Sequence, residues 1–265
     1  MMKTRRIHST DIEVSRLGLG TVKFGRNEQV KYPTEFELPS DSEILSLLDL
    51  ARENGINLLD TAPAYGTSEE RLGPLLEGRR DDWVIVSKAG EEFIGGKSHF
   101  DFSEKAISAS IDRTLLRLRT DRVESILLHS DGNDSDILQN SGAVKALEKA
   151  KAAGKILSFG ISTKTVEGGM LAVEMGLDIV MVTYNPWHTE EEAVLDSAAE
   201  SGTSVFLKKA LGSGWFGKED KKPIDPIAEA FQFIFDHPAS TSIIVGTINP
   251  KHLEANCETV RLLEA

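Results

Sequence analysis

The chain has 265 residues, 40% of them hydrophobic and 27% charged, values typical of a globular protein with a sizeable core. Its formal net charge of -12 excludes a nucleic-acid partner, because phosphate backbones are bound by clustered lysine and arginine. The single cysteine, Cys257, excludes a disulfide framework, and the absence of a membrane-length apolar run or an apolar signal region predicts a cytoplasmic protein without a membrane partner.

The predicted elements begin with a small β-hairpin, formed by Thr4–Ile7 and Ile12–Val14 around a polar turn. From about residue 17, apolar runs alternate with segments of helical spacing, the pattern of repeated βα units. The predicted strands are Leu17–Gly20, Ile56–Leu59, Trp83–Ser87, Ser125–Leu128, Ile156–Ile161, Ile179–Thr183, Ser204–Leu207 and Ser242–Val245. The clearest predicted helices are Ser42–Glu53, Ser103–Leu118, Ala143–Ala152 and Glu191–Ser201.

This element order predicts the α/β class and a (β/α)₈ TIM barrel formed by residues 1–265 as one domain. The hairpin is expected to plug the amino end of the barrel. The longest loops are predicted at 25–40, 90–102 and 212–225, and glycines at 55, 154, 176 and 202 are expected to end helices in the left-handed conformation.

Ionisable side chains end three neighbouring strands of this predicted barrel. The second strand ends at Asp60, and Tyr65 follows in a loop marked by proline and glycine. The third strand ends at Lys88 and the fourth at His129. Because the carboxyl ends of barrel strands open on one face, we expect these four side chains to meet there.

Each of these residues also has a simpler interpretation. Tyr65 alone is typical of a surface-loop aromatic, and a lysine ending an apolar strand could only form an ion pair with Asp60. The functional alternative is that Lys88, held cationic by Asp60, lowers the pKa of the Tyr65 phenol from about 10 so that it can exchange protons. His129 would then orient a substrate oxygen.

The order Asp60, Tyr65, Lys88, His129 resembles the catalytic tetrad of the aldo-keto reductases. The resemblance extends to Leu17-Gly-Leu-Gly-Thr-Val-Lys, Asp60-Thr-Ala-Pro-Ala-Tyr-Gly, Gly154-Lys-Ile-Leu-Ser-Phe-Gly-Ile-Ser and Ile243-Ile-Val-Gly-Thr. It implies a TIM barrel that reversibly reduces an aldehyde or ketone, a small-molecule carbonyl substrate, with NADPH/NADP⁺ and with NADH as an alternative cofactor. Tyr65 would be the acid, His129 a second hydrogen-bond donor, and Lys88 and Asp60 would tune the acid.

The same resemblance implies a cofactor site and no metal site. Its residues would be Gly20, Thr21, Val22, Asp60, Ser162, Thr163, Met181, Lys208, Leu211, Gly246, Thr247, His252 and Asn256. The amides of Gly246 and Thr247 would bind phosphate at the start of the last helix. The motif Gly212-Ser-Gly-Trp-Phe-Gly217 fits a dinucleotide fingerprint, but no helix follows it immediately, so a Rossmann interpretation is disfavoured.

Four positions depart from the family pattern. Thr163 stands where asparagine is common, Met181 where glutamine is common, and Lys208 where a tyrosine often stacks on nicotinamide. His252 stands where an arginine usually contacts the adenosine phosphate, and imidazole lacks the permanently charged fork of arginine. We therefore expect only a modest NADPH preference. The expected pocket walls include Val22, Phe24, Trp187 and Trp215.

Two other functions are compatible with these residues. A Schiff-base aldolase would use Lys88 as its nucleophile, and borohydride would trap its adduct. A non-catalytic subunit that senses cofactor, as in the related potassium-channel β subunits, would bind NADP(H) tightly but turn over slowly. The acidic charge and the lack of a long N-terminal extension give this second alternative no positive support.

Overall fold

Short apolar runs ending at polar residues form the strands of a closed barrel in the computed structural model, which describes residues 2–212 and 225–265. The strands are β1 Thr4–Arg6, β2 Glu13–Ser15, β3 Leu17–Gly20, β4 Leu58–Asp60, β5 Val84–Ala89, β6 Glu91–Ile94, β7 Lys97–Phe100, β8 Val123–His129, β9 Ile156–Ser162, β10 Ile179–Thr183, β11 Ser204–Lys208 and β12 Ser240–Val245. Eight of them, in the order β3-β4-β5-β8-β9-β10-β11-β12, close the barrel through parallel pairs. This confirms the predicted TIM barrel.

The helices surround the barrel and bury one apolar face each. They are α1 Val22–Gly25, α2 Asp41–Glu53, α3 Ser68–Leu75, α4 Glu104–Leu118, α5 Asp134–Gln139, α6 Ala143–Ala152, α7 Val166–Glu174, α8 Glu192–Ser201, α9 Pro226–Phe235 and α10 Pro250–Leu263. Ser40 caps α2 in a reciprocal capping box with Glu43, and the Ser103 hydroxyl caps α4. The four predicted helices therefore begin and end within one residue of their expected limits.

The amino-terminal hairpin of β1 and β2 closes one end of the barrel, as predicted. Ile7 and Val14 are fully buried and pack against interior strand residues such as Leu58, Leu127 and Phe206. The hairpin is antiparallel, with Arg5 opposite Val14. Because these apolar contacts fill the end opposite the strand carboxyl termini, they leave the carboxyl end open for a site.

One predicted loop is wrong. Residues 90–102 contain the antiparallel hairpin of β6 and β7, in which Glu91 lies opposite Phe100. Gly95 and Gly96 join the two strands with φ angles of 59° and 75°, which a two-residue hairpin turn requires and which side chains disfavour. The Gly-Gly pair between two short runs was the sequence signal for this hairpin.

Two further predictions on the fold agree with the structure, whereas the predicted loop at 212–225 lies outside the described residues except at its two ends. Residues 26–40 form an irregular loop, and the four helix-ending glycines have φ angles between 72° and 87°. Of the glycine-rich motif at 212–217, only Gly212 belongs to the described residues. None of the helices in the described ranges has the length and apolar character that crossing a bilayer requires.

Candidate active site

The carboxyl ends of the barrel strands open into a cavity of about 650 Å³. All four residues that the sequence placed at strand ends line it: Asp60, Tyr65, Lys88 and His129. Asp60 is the last residue of β4, Lys88 lies near the end of β5, and His129 is the last residue of β8. The structure therefore brings the predicted tetrad together.

Asp60 and Lys88 form a buried ion pair at the floor of the cavity. Lys88 Nζ lies 2.5 Å from Asp60 Oδ1, and the two side chains are 2% and 5% exposed. Lys88 Nζ also donates to the carbonyl oxygen of Thr61 at 3.1 Å. A buried ammonium with these partners is satisfied, and removing either charge would leave the other buried without compensation.

Tyr65 is held over this pair by a tight turn. The turn Pro63–Tyr65 begins with a proline, whose fixed φ angle suits that position, and it ends at Gly66 with a φ angle of 63°. A Cβ atom on Gly66 would lie 2.2 Å from the carbonyl oxygen of Gly25. The backbone of α1 and this turn therefore approach more closely than any side chain allows, which fixes the Tyr65 ring.

The phenol of Tyr65 interacts with Asp60. Tyr65 Oη donates to Asp60 Oδ2 at 3.2 Å, and Lys88 Nζ lies 4.8 Å from the centroid of the Tyr65 ring. Burial and the negative charge of Asp60 raise the pKa of Tyr65 well above its ordinary value. The prediction that the pKa of Tyr65 is lowered is therefore wrong for the free protein, because burial and the charge of Asp60 raise it.

His129 lies next to the Tyr65 ring. The two rings are perpendicular, with centroids 6.3 Å apart. His129 Nδ1 lies 2.8 Å from Oε2 of Glu91, at an angle that departs from an ideal hydrogen bond. Burial lowers the pKa of His129, and Glu91 opposes that change. The structure thus adds a carboxylate to the site that the sequence analysis did not identify.

Most of the predicted cofactor residues also line the cavity, namely Gly20, Val22, Asp60, Ser162, Met181, Lys208, Leu211, Gly246, Thr247, His252 and Asn256. Two features fit an anionic, adenine-containing ligand. Asn256 Oδ1 is buried without a hydrogen-bond partner among the described residues. The backbone N–H groups of Gly246 and Thr247 donate to no other described residue, and they precede α10, whose amino end favours an anion.

Several predicted residues lie behind the cavity wall instead. Thr21 is fully buried and donates to the carbonyl oxygen of Asp60, and Thr163 is fully buried with its backbone N–H bonded to Met181. Phe24 belongs to the hydrophobic core, so its prediction as a pocket wall is wrong. Trp187 is not among the lining residues, and Trp215 lies outside the described residues.

Lys208 occupies the corner where the family pattern has a tyrosine. Its Nζ donates to Ser162 Oγ at 2.9 Å and to the carbonyl oxygen of Thr163. Burial lowers the pKa of this ammonium to about 8, although the charge of Glu191 opposes the change. The polar groups beside a bound nicotinamide would therefore be a lysine and a serine rather than an aromatic ring.

The cavity also has lining residues that the sequence analysis missed. Lys23, Arg26 and Tyr32 come from α1 and the irregular loop after it. Lys23 Nζ lies 4.0 Å from the centroid of the Tyr32 ring, and Arg26 stacks on Phe93 at 3.6 Å. An irregular loop has no regular spacing of apolar residues from which such contacts could be predicted. The only available signal was that the loop follows the first barrel strand, where loops of the family reach the site.

Comparisons with known proteins agree with this geometry. A model of the Aldo/keto reductase family matches residues 16–230. L-galactose dehydrogenase of Arabidopsis thaliana is 30% identical, with 100% of this chain and 90% of that protein covered. D-threo-aldose 1-dehydrogenase of a Pseudomonas species is 28% identical, with 86% of each covered.

A solved structure from Pseudomonas aeruginosa, provisionally described as an aldo-keto reductase, is 47% identical to this chain. The two superpose with a TM-score of 0.89, covering 99% of this chain and 96% of the other. The structural likeness spans the whole barrel and the cavity at its carboxyl end, and the family match covers seven of the eight barrel strands. The chain therefore belongs to the aldo/keto reductase family.

Proposed function

We propose that the protein is an NADP(H)-dependent oxidoreductase that reduces an aldehyde or ketone to an alcohol. The observation that carries this proposal is the convergence of Tyr65, His129 and the Lys88–Asp60 ion pair on one cavity. Within the described part of the chain, the oxygen of Asn256 and the amides of Gly246 and Thr247 have no hydrogen-bond partner, which supports a nucleotide in the same cavity. A bound NADPH would supply the hydride for the carbonyl carbon.

The protein's own residues would act on the carbonyl oxygen. Reduction builds negative charge on that oxygen, and hydrogen-bond donors fixed in advance stabilise such charge. Tyr65 would donate its proton to the oxygen, because its raised pKa keeps the phenol protonated at neutral pH, while an alkoxide is a far stronger base. His129 would donate a second hydrogen bond to the same oxygen.

The Lys88–Asp60 pair would control where the Tyr65 proton lies. In the free site Asp60 accepts the phenol hydrogen bond, so the substrate oxygen must compete with a carboxylate for that proton. Lys88 reduces the attraction of Asp60 for the proton by neutralising its charge. Without Lys88, the carboxylate would hold the phenol more tightly.

A carbonyl panel tests the function. We expect cofactor absorbance to fall when native protein is mixed with NADPH and a suitable aldehyde or ketone. The reverse reaction should be tested with aldoses and NADP⁺, where cofactor absorbance should rise, because two of the relatives are named as dehydrogenases of D-threo-aldose and L-galactose. Tight cofactor binding with no turnover on any substrate would favour the cofactor-sensing alternative.

Cofactor choice should depend on His252. This residue lies in the first turn of α10, is exposed and lines the cavity. Changing His252→Arg adds a permanent, bidentate cation for a 2′-phosphate. We expect the dissociation constant of NADPH to fall about tenfold, which corresponds to about 1.4 kcal/mol, with little change for NADH.

Fluorescence titration with both cofactors measures this effect at low and high salt. The control is His99→Arg, which adds the same charge on the exposed strand β7, away from the cavity. It should leave both dissociation constants unchanged. If His252→Arg alters neither cofactor, or alters both equally, the 2′-phosphate is not bound at this position.

A further inference from the structure

The carboxylate of Glu91 faces the active-site histidine from the hairpin of β6 and β7. Its Oε2 atom lies 2.8 Å from His129 Nδ1, and its Oε1 atom accepts a hydrogen bond from Ser98 Oγ at 2.6 Å. Ser98 lies on the paired strand of the hairpin. The hairpin therefore fixes both oxygens of Glu91, and one of them is directed at the imidazole.

The 2.8 Å contact favours a proton on Nδ1 of His129 through charge attraction, although its angle departs from that of an ideal hydrogen bond. An ionised carboxylate only accepts hydrogen bonds, so the ring interacts favourably with Glu91 only when Nδ1 is protonated. A neutral imidazole with its proton on Nδ1 has no proton on Nε2 and can only accept there. To donate through Nε2 to a substrate oxygen, His129 must carry both protons and a positive charge.

We infer that Glu91 is a positioning residue that favours the doubly protonated form of His129, the form in which Nε2 donates to the substrate oxygen as a cation. This inference rests on the proposed carbonyl reduction. A cationic donor stabilises a developing alkoxide more strongly than a neutral one, because charge-assisted hydrogen bonds are about twice as strong.

The surroundings of His129 make Glu91 necessary for that state. Burial has the largest effect and disfavours a cationic ring, as do the charges of Lys88 from β5 and Lys208 from β11. Together they lower the pKa of His129 although Glu91 opposes the change, and the neutral phenol of Tyr65 lies on a ring perpendicular to the imidazole. Among the described residues, Glu91 is the one whose carboxylate oxygen lies within 4 Å of a His129 ring nitrogen. Burial raises the pKa of Glu91, but the hydrogen bond and charge of His129, with Ser98 and Arg26, lower it to about 2. Glu91 thus stays ionised across the working pH range.

The sign of the expected pH dependence follows from this pairing. Glu91 raises the titration midpoint of His129, and reduction requires the protonated ring, so activity should fall as pH rises through that midpoint. Changing Glu91→Gln removes the charge and retains the size. We expect the midpoint to fall by about one to three pH units, the usual effect of losing an opposite charge at this distance.

The experiment titrates His129 by NMR in protein labelled at histidine Cε1, with His129→Asn identifying the signal. Native protein above the midpoint should carry its single ring proton on Nδ1, and Glu91→Gln should titrate at lower pH. The control is Glu92→Gln, the next residue in β6, whose carboxylate binds Arg113 at 2.6 Å and not His129. It should leave the His129 midpoint unchanged.

Kinetics provide the second measurement. At pH above both midpoints, Glu91→Gln should reduce carbonyl substrate about tenfold more slowly for each pH unit of the shift, and the two rates should converge below both midpoints. Glu91→Asp keeps the negative charge on a shorter side chain. Its rate of carbonyl reduction should lie between the native rate and the rate of Glu91→Gln. An unchanged midpoint, or a neutral ring protonated on Nε2, would overturn the role of Glu91. A native protein that titrates as expected but reduces no carbonyl would instead refute the proposed function.

Discussion

Tyr65→Phe is expected to lower the rate of carbonyl reduction by about 10² to 10⁴-fold, the usual contribution of general acid catalysis. The substitution removes the one phenol whose oxygen lies 3.2 Å from Asp60 at the cavity floor, and it leaves the ring in place. Steady-state kinetics with NADPH measure the loss in kcat. The dissociation constant of NADPH should change little, because the removed hydroxyl acts on the substrate.

Tyr184→Phe is the matched control for this variant. Tyr184 is 3% exposed, and its hydroxyl donates to Glu192 at 2.9 Å outside the cavity. This substitution therefore also removes a phenolic hydrogen bond, but it should leave kcat unchanged. A Tyr65→Phe protein that turns over at the native rate would show that another group protonates the substrate.

Lys88→Met is expected to abolish most of the reductase activity and to destabilise the fold. The substitution leaves Asp60 negatively charged at 5% exposure without its ion-pair partner, and breaking such a buried pair costs about 3–5 kcal/mol. The unpaired carboxylate should also hold the Tyr65 proton and slow its transfer. Urea unfolding and kcat measurements report these two effects.

The double variant with Asp60→Asn and Lys88→Met separates the loss of stability from the loss of activity. It removes both charges, so much of the lost stability should return while activity stays low. If activity returned with stability, Lys88 would matter only for folding. A borohydride-stable substrate adduct on Lys88 of the native protein would instead establish the Schiff-base aldolase, since a lysine held protonated by Asp60 cannot attack a carbonyl.

The barrel and the tetrad were predictable because both depend on local patterns. Strands such as Ile179–Thr183 are short apolar runs, and their parallel pairing places every carboxyl end on one face. Asp60 and Tyr65 are only five residues apart, so a tight turn suffices to join them. Lys88 had few partners other than Asp60 once the strands were adjacent.

The sequence did not predict the environment of the tetrad. The Tyr65 pKa depends on burial and on which charge faces the phenol, and neither can be read from strand ends. Glu91 meets His129 only because the β6–β7 hairpin folds back over the site. Tyr32 lines the cavity from an irregular loop. Each of these contacts depends on tertiary packing, which no residue spacing encodes.

The most direct measurement follows the hydride itself. NADPH carrying deuterium at the hydride position of its nicotinamide is mixed with native protein and the best carbonyl substrate of the panel. We expect an alcohol with one deuterium on the former carbonyl carbon, formed at a rate that Tyr65→Phe lowers by about 10² to 10⁴-fold. An unlabelled alcohol would contradict hydride transfer from the cofactor. Formation of the labelled alcohol at equal rates by the native and Tyr65→Phe proteins would contradict the assistance of Tyr65.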